Sequence, residues 1–394
     1  MQSQYPRKPL ARLARGLPAS WFRDPAHHAR ELEAIWYRNW IALAREEELA
    51  GPGAWRTATV GTQPVLLVRG EDGVPRAFYN TCRHRGSILC PGTEGRFEHA
   101  RIVCPYHAWT YDLAGRLVAT PRRMPTPDFD PVRLALHEIG CATWGGFVFV
   151  NLAGRKAEPL ARALGQAPQR FAHHRLERLR IGKRIVAEVA ANWKIVCENF
   201  SECYHCPTVH PELVRVVRAY RKAGAWGLRG EERLPEYAPG ARTLTLDGSA
   251  RIPPFADLDE TERATLYVPW MVLPSLFLNV HPDYVHTHRM LPLGPARVRI
   301  VYDWLFEPQH LPQGEDLAHY TALWECTNAQ DARNCEWQQE GVAARAFRHG
   351  WFVPQEFDCE RFARWVRRAL RSGRATRRPA PRAGSRRARR ARAR

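Results

Sequence analysis

Two short loops in the first third of the chain each carry one cysteine and one histidine, and this pairing constrains the fold more than any other feature. The first loop contains Cys82 and His84, and the second, nineteen residues later, contains Cys104 and His107. Two thiolates and two imidazoles form a complete metal-ligand set. The surrounding residues 51–152 are short apolar runs separated by Gly and Pro, a pattern typical of β structure. The sequence therefore predicts a metal centre held between two loops of a small β domain.

The order of the ligands distinguishes between two kinds of metal centre. Zinc fingers generally keep two cysteines in one loop and two histidines in the other. Here each loop is mixed, which suits a Rieske 2Fe–2S centre, in which two cysteines hold one iron and two histidines hold the other. We expect Cys82 and Cys104 to hold the buried iron, and His84 and His107 to hold the outer one. Tetrahedral zinc and ordinary core residues remain the alternatives.

A second group of candidate ligands lies further along the chain. A helix is expected over residues 192–206, and Pro207 then interrupts it. Glu202 and His205 are three residues apart and share a helix face. His205 and His210 are five apart, so the break at Pro207 is needed to bring both imidazoles to one point. Two histidines and one carboxylate form the facial triad of non-haem Fe(II) oxygenases.

The third ligand of such a triad has to come from another segment, and Asp331 is the best candidate. Residues 313–347 are expected to form one long helix, on which Asp331 shares a stripe with Trp324 and Thr327. A carboxylate on an otherwise packed face needs a partner. A surface or capping aspartate is the alternative for Asp331, as core histidines are for the other two ligands.

The remaining eight cysteines show no ligand pairing of comparable strength. Cys203 and Cys206 flank His205 in a C-x2-C arrangement, which leaves a zinc or redox pair open as an alternative. Small buried thiols are favoured for both, because free cysteine usually behaves as a small apolar residue.

Both groups of ligands resemble the motifs of one enzyme family, the α-subunits of Rieske non-haem iron oxygenases. The cluster loops read CRHRG at residues 82–86 and CPYHAWTY at residues 104–111. The second loop has Ala108 where the family usually has Gly. The iron motif reads ENFSECYH at residues 198–205 and, after four intervening residues, is completed by His210.

The resemblance implies roles for residues beside the ligands. It places Asn199 near the iron, and it makes Glu202 the link between the iron site and the cluster ligand His107 of a neighbouring subunit. Most ring-hydroxylating members have Asp at this position. The Glu is similar to the branch that oxidises quaternary ammonium compounds such as carnitine. Residues 198–213 and the HPDYV run at residues 281–285 also resemble bacterial glycine betaine and stachydrine demethylases.

The resemblance covers about residues 18–370 and implies an α+β fold. An all-β Rieske 2Fe–2S domain is expected beside a helix-grip (START-like) catalytic domain, whose curved antiparallel sheet surrounds the long helix. The expected segments are an N-terminal segment packing on the catalytic domain (1–44), the Rieske domain (45–155), the catalytic mononuclear iron domain (156–370) and a disordered Arg-rich tail (371–394). Local patterns add a helix from Asp24-Pro25 to about residue 43, a helical stretch ending near Gly182, and strands in residues 265–307.

The net charge of +19 is concentrated at the C-terminus. Residues 371–394 contain eleven arginines and no acid, and they have no apolar period. We expect this tail to be a solvated extension. Binding of anionic polymers by the tail is the alternative.

Several absences define the expected partners and location. No apolar stretch is long enough to span a membrane, and the basic N-terminus has no apolar signal core, so a cytoplasmic location is expected. There is no GxGxxG dinucleotide motif and no plant-type ferredoxin run of cysteines. Electrons from NAD(P)H are therefore expected to arrive through a separate flavin/iron–sulfur reductase. The resemblance also implies a homotrimer and O2 as co-substrate.

The motifs are compatible with three functions that act on a small-molecule substrate. The first is hydroxylation of an N-methyl group, which gives demethylation and requires aromatic faces around a cation. The second is ring hydroxylation of an aromatic compound, and the third is electron transfer or binding without oxygenase activity. Acidic groups in an aromatic pocket would favour the first, and an apolar pocket or a single Arg the second. The expected pocket walls are Tyr267, Trp270, Phe277 and Trp304, for which plain sheet packing is the alternative.

Overall fold

The computed structural model of the protein describes residues 8–224 and 235–375. Its strands are β1 (Ala14–Pro18), β2 (Ile41–Arg45), β3 (Ala54–Val60), β4 (Gln63–Arg69), β5 (Pro75–Tyr79), β6 (Glu94–Arg96), β7 (Arg101–Val103), β8 (Thr110–Asp112), β9 (Leu117–Ala119), β10 (Glu138–Trp144), β11 (Phe147–Asn151), β12 (Arg180–Val189), β13 (Val268–Val272), β14 (Leu276–Val280), β15 (Val285–Gly294), β16 (Arg297–Phe306) and β17 (His349–Phe352). Its helices are α1 (Pro25–Glu31), α2 (Leu160–Leu164), α3 (Ala167–Arg170), α4 (Trp193–Phe200), α5 (Cys206–Val209), α6 (Pro211–Val216), α7 (Glu260–Ala264), α8 (Gly314–Gly341) and α9 (Phe357–Ala375).

The first half of the chain forms two antiparallel sheets. A seven-stranded sheet has the order β2-β11-β10-β5-β4-β3-β6, and a three-stranded sheet has the order β7-β8-β9. A shared core lies between them, where Leu66 and Phe78 of the larger sheet pack with Tyr111 and Leu117 of the smaller one. The two cluster loops lie beside this core, because one follows β5 and the other joins β7 to β8.

The second half forms a curved antiparallel sheet of five strands in the order β12-β16-β15-β14-β13. The long helix α8 packs against β12, and α4 packs against both α8 and β15. The prediction of a β domain beside a mixed helix-and-sheet domain with a curved sheet is therefore confirmed. This arrangement brings the segment after α4, which carries His205 and His210, close to α8, which carries Asp331.

The N-terminal segment differs from its expected form. The carboxylate of Asp24 accepts a hydrogen bond from the backbone N–H of Ala26 at 2.9 Å and opens α1 as expected. A further helical turn, Leu32–Trp36, follows α1, and the helical conformation ends there. Leu43 lies instead in β2, which pairs with β11. Strand β2 also crosses the predicted domain boundary at residues 44/45, and the boundaries themselves stay a prediction.

Two further expectations need correction. The predicted helix ending near Gly182 is only the short pair α2 and α3, and Gly182 lies in strand β12, which begins at Arg180. A β-carbon at Gly182 would lie 2.7 Å from the Phe306 ring, so the residue serves close strand packing at a register shift. Helix α9 continues to Ala375, so the first residues of the predicted disordered tail are helical, and residues 376–394 lie outside the described part of the chain.

A largely buried network of charges joins the two halves of the chain, and we call it the domain seam. Its members are Glu48, Arg184, Arg289 and Asp303. Arg184 donates to Asp303 at 2.6 Å and also to Glu48, while Arg289 donates to Asp303 at 2.9 Å and to the carbonyl of Leu43 at 2.6 Å. Burial alone would raise the pKa of Glu48, but these arginines lower it to about 2. Removing one partner of such a pair leaves an uncompensated buried charge, so the seam resists opening.

None of the helices in the described residues combines the length and the apolar character that crossing a bilayer requires. The longest of them, α8, has polar and charged side chains along most of its length.

Candidate functional site

The two cluster loops bring their four candidate ligands together in two layers. The thiols of Cys82 and Cys104 are buried, with 3% exposure each. The imidazoles of His84 and His107 are exposed, and their ring centroids lie 4.8 Å apart. The hydroxyl of Tyr111 lies 3.4 Å from the sulfur of Cys82. The two thiols thus form a buried layer, and the two imidazoles form an exposed layer above it.

Backbone hydrogen bonds shape both cluster loops. The N–H of Cys82 donates to the carbonyl of Ser87 at 2.7 Å, and that of Cys104 donates to the carbonyl of Trp109 at 2.9 Å. The second loop turns sharply at Ala108, whose φ is +56°. This is the left-handed region that favours glycine, which explains why the resembling motifs have Gly at the position of Ala108.

The second group of ligands converges on one point. The Nε2 atoms of His205 and His210 lie 3.2 Å apart. The Oδ1 atom of Asp331, on α8, lies 3.0 Å from Nε2 of His210 and 3.5 Å from Nε2 of His205. These three side chains thus offer three ligand atoms to a single metal ion.

Hydrogen bonds fix which nitrogen each imidazole presents. Nδ1 of His205 lies 2.5 Å from a carboxylate oxygen of Glu202, and Nδ1 of His210 lies 2.8 Å from the amide oxygen of Gln330. The side-chain nitrogen of Gln330 donates to Glu212 at 2.9 Å, so its oxygen is turned towards His210. Because both acceptors are oxygens, each Nδ1 carries the proton and each Nε2 is left as a metal ligand.

The chain break that joins the two histidines is not the one expected. Helix α4 ends at Phe200, and a carboxylate oxygen of Glu202 accepts hydrogen bonds from the backbone N–H groups of Tyr204 and His205. Pro207 lies in the first turn of α5, where proline is tolerated, and does not interrupt a helix. His205 and His210 flank the short helix α5, and this spacing brings their rings together.

The electrostatics of the converged residues favour a cation. Burial alone would lower the pKa of His205, but hydrogen bonds with Asp331 and Glu202 outweigh it and raise this pKa to about 11. Burial would raise the pKa of Asp331, yet its hydrogen bonds with the two histidines hold it well below its ordinary value. The opposite directions of these two shifts reflect how closely the imidazole nitrogens approach the carboxylate oxygen, and such a donor set fits a divalent metal ion.

Comparison with known proteins places these two sites in one family. The family described as "Rieske [2Fe-2S] domain" matches residues 39–130, and the "Ring hydroxylating alpha subunit (catalytic domain)" matches residues 176–372. The chain belongs to the Rieske-type ring-hydroxylating α-subunits. A glycine betaine monooxygenase oxygenase subunit from Chromohalobacter salexigens is 30% identical over 89% of this chain and 84% of that protein. A choline monooxygenase from Spinacia oleracea is 27% identical over 90% and 78%.

Solved structures share the fold of this Rieske oxygenase subunit. The quaternary ammonium Rieske monooxygenase CntA superposes with a TM-score of 0.73 at 22% identity, over 90% of this chain and 95% of that one. Naphthalene 1,2-dioxygenase from Rhodococcus sp. gives a TM-score of 0.69 at 19% identity, over 90% and 94%. Because both identities are low, these neighbours bear on the fold alone, and that fold serves two kinds of substrate.

The family defines the cofactors of this oxygenase as a Rieske 2Fe–2S cluster and a mononuclear non-haem iron. The residues present fit both groups. Two buried thiols and two exposed imidazoles suit the cluster, and the hydroxyl beside Cys82 offers the kind of hydrogen bond that tunes cluster sulfurs. The donor set of two Nε2 atoms and one carboxylate oxygen suits the iron.

The candidate substrate cavity of the oxygenase borders the converged ligands. Its lining includes Tyr267, Tyr220, Phe200 and Trp324, together with the carboxylates of Glu202 and Asp331. An adjoining cavity shares Asn199, Phe200, His288 and Asp331 with it. Asn199 donates from its side chain to Asp331 at 3.0 Å and so also helps to orient that carboxylate.

The four residues expected to wall the pocket do not all reach it. Tyr267 lines the cavity, and Phe277 lines the adjoining one, where it stacks on Phe200 with centroids 4.5 Å apart. Trp270 belongs to the core on the other face of the sheet, because side chains alternate along β13. Trp304 is fully buried behind His286, on which it stacks at 4.4 Å. The pocket role predicted for these two tryptophans is therefore corrected to core packing.

Several residues of the site are not predicted from the sequence. Gln330 and Glu212 orient His210, and their positions beside Asp331 and His210 are the signal that was available. Tyr220 and His288 carried no motif, and they reach the cavity only through the tertiary fold. The thiols of Cys203 and Cys206 also line the cavity, and both are free.

Proposed function

We propose that this subunit oxidises an N-methyl group of a quaternary ammonium compound. The observation that carries the proposal is the lining of the cavity, where aromatic rings and two carboxylates surround the candidate iron position. Among the described residues that line it there is no Lys or Arg. A permanent cation is attracted by aromatic faces and carboxylates, and nothing in this lining repels it. The relatives named as glycine betaine, choline and carnitine monooxygenases support the same substrate class.

The site assignment is part of the proposal. Cys82 and Cys104 hold one iron of the cluster, and His84 and His107 hold the other. The mononuclear iron is held by His205, His210 and Asp331. The layering of the cluster loops supports the first set, and the convergence of three ligand atoms supports the second.

In this proposal the chain's own residues position the substrate. When bound, the two metal groups supply electrons and activate O2. Tyr267, Tyr220 and Trp324 hold the ammonium group by cation–π contacts, so that one N-methyl group points towards the histidines. One O2, two electrons and two protons convert that methyl group to a hydroxymethyl group and release water. The hydroxymethyl group then leaves as formaldehyde, with a tertiary amine and a proton as the other products.

Assembly and electron supply complete the proposal. No hydrogen bond joins His107 to Glu202 within the described residues of one chain. A homotrimer in which His107 of one subunit faces Glu202 of the next would join them, and heterologous contacts of this kind close into rings. Inter-subunit electron transfer has been described for CntA. A separate reductase supplies the electrons, and the expected location is the cytoplasm.

Oxygen uptake with a generic reductase tests the proposed function. Glycine betaine, choline and carnitine are compared with aromatic acids, and formaldehyde is measured beside oxygen consumption. We expect formaldehyde in equal amount to the oxygen consumed, and only with N-methylated ammonium compounds. Ring-hydroxylated product from an aromatic acid, without formaldehyde, would overturn the proposal in favour of ring hydroxylation. Reduction of the cluster without any oxygen uptake would favour an electron carrier.

A further inference from the structure

One imidazole in the cavity is held in a defined orientation without belonging to the metal ligands. His288 lies on β15, opposite Phe277 of β14, and borders both adjoining cavities. It is buried, with 8% exposure. Its Nδ1 atom has no hydrogen-bond partner among residues 8–224 and 235–375.

A relay of two hydrogen bonds fixes the protonation of this ring. The hydroxyl of Tyr267 donates to the side-chain oxygen of Asn279 at 2.9 Å, which turns the amide nitrogen of Asn279 towards His288. That nitrogen lies 3.2 Å from Nε2 of His288. Since an amide nitrogen only donates, Nε2 of His288 has to accept, and the proton of the neutral ring is on Nδ1.

Most other donors that line the cavity are already used. Asn199 donates to Asp331, and the hydroxyl of Thr327 donates to a backbone carbonyl at 2.9 Å. The indole nitrogen of Trp324 lies 3.1 Å from both His281 and Tyr284. Besides Nδ1 of His288, the hydroxyl of Tyr220 also has no hydrogen-bond partner among the described residues.

We propose that His288 recognises an oxygen acceptor on the substrate, donating from Nδ1 to the carboxylate or hydroxyl group that lies beyond the ammonium. The inference rests on the proposed function and narrows it to trimethylammonium compounds that carry such an oxygen. A neutral donor suits this task, because a cationic Arg or Lys would bind the oxygen but repel the ammonium group. The aromatic rings then select the cation, and His288 selects the opposite end of the molecule.

A ligand series on the holoenzyme tests the inference. Anaerobic calorimetry compares glycine betaine, choline and ethyltrimethylammonium, which carry a carboxylate, a hydroxyl and no oxygen, respectively. We expect the wild type to bind at least one oxygen-bearing ligand about 10-fold or more tightly than ethyltrimethylammonium. Comparison of choline with glycine betaine shows whether His288 donates to a hydroxyl or to a carboxylate oxygen. In His288→Phe this preference should fall about 10-fold, and in His288→Gln, which keeps a donor, it should be partly retained.

Two further variants keep the inference testable even where His288→Phe does not fold. Asn279→Asp replaces the donor to Nε2 by an acceptor, reverses the tautomer, and should lower the preference as His288→Phe does. Tyr220→Phe removes the other uncommitted donor and should keep the preference. An unchanged preference in His288→Phe, or its loss in Tyr220→Phe alone, would overturn the role of His288 while leaving the proposed function intact. If no trimethylammonium ligand binds the wild type, the proposed function and the inference both fall.

Discussion

The cluster loops and the iron site are built in opposite ways. All four proposed cluster ligands lie between residues 82 and 107, and backbone hydrogen bonds within each loop set their positions. The proposed iron ligands His210 and Asp331 are 121 residues apart, and side chains such as Glu202 and Gln330 set the orientation of the two histidines. A local site is thus encoded by turn geometry, and a distant one by hydrogen bonds that form only after the helices pack.

This difference decides which substitutions matter at each site. Changes at side chains that orient imidazoles should weaken the iron site and leave the cluster spectrum intact. Changes of backbone preference in a loop should alter the cluster domain and leave the iron site intact. Crossed effects, in which one kind of change damages the other site, would contradict the comparison.

The largest effect is expected for Asp331→Ala. Loss of one of three protein ligands should empty the iron site and abolish product, while the visible spectrum of the cluster stays unchanged. Iron content and formaldehyde release measure the outcome. Asp316→Ala is the matched control, because this acid lies on the same helix and its side chain is 56% exposed in a pair with Arg251. Wild-type turnover in Asp331→Ala would remove Asp331 from the triad.

The second effect concerns electron transfer between the two sites. Glu202→Gln keeps the size of the side chain and one acceptor oxygen for Nδ1 of His205, but it loses the charge and the other acceptor. Both metals should therefore stay bound while little substrate is oxidised. The cluster should still be reduced by its donor, which stopped-flow absorbance follows. Glu202→Asp retains the carboxylate and should retain part of the rate. Wild-type turnover in Glu202→Gln, or an active monomer, would refute the bridge between subunits.

A smaller effect is expected for Gln330→Leu. Without the amide oxygen, Nδ1 of His210 loses its acceptor, and the affinity for iron should fall roughly 10–100-fold. Metal titration of the iron-depleted protein measures this affinity. Glu212→Gln should cost less, because it leaves Gln330 in place and removes only the charge that orients it. Equal iron affinity in wild type and Gln330→Leu would show that the histidine is oriented by packing alone.

The smallest effect is expected in the cluster loop. Ala108→Gly removes the cost of a side chain at a φ of +56° and should stabilise the cluster domain by about 1 kcal/mol. Denaturant unfolding, followed by cluster absorbance, measures this change. Ala58→Gly, in strand β3 of the same domain, is the control and should destabilise by about 0.5–1 kcal/mol. Destabilisation by Ala108→Gly would show that the loop depends on the alanine methyl group.

The same contrast explains what could be predicted from the sequence. The cluster ligands were recognisable because their spacing lies within two short loops, and His205 and His210 because they are close in the chain. Prediction of Asp331 as the third ligand depends on its place on one stripe of a long helix and on the family resemblance, since nothing local links it to the histidines.

The expectations that failed depended on tertiary geometry. The sequence predicts a break at Pro207, but the break lies earlier, because Glu202 accepts hydrogen bonds from the backbone after α4. Trp270 was expected in the pocket, but strand alternation turns it to the opposite face of the sheet. His288 and Gln330 carried no signal that single-sequence reasoning uses, because their roles depend on partners far away in the chain.

The domain seam has a consequence for how the enzyme responds to dilution. With Glu48, Arg289 and Asp303 buried between the two halves, a subunit is not expected to swing its cluster towards its own iron in the manner of a mobile electron carrier. Electrons in the proposed trimer then cross a gap whose length is set at assembly and is constant during turnover. Specific activity per chain should therefore fall once the protein is diluted below its assembly concentration, whereas a hinged single-chain oxygenase would keep it.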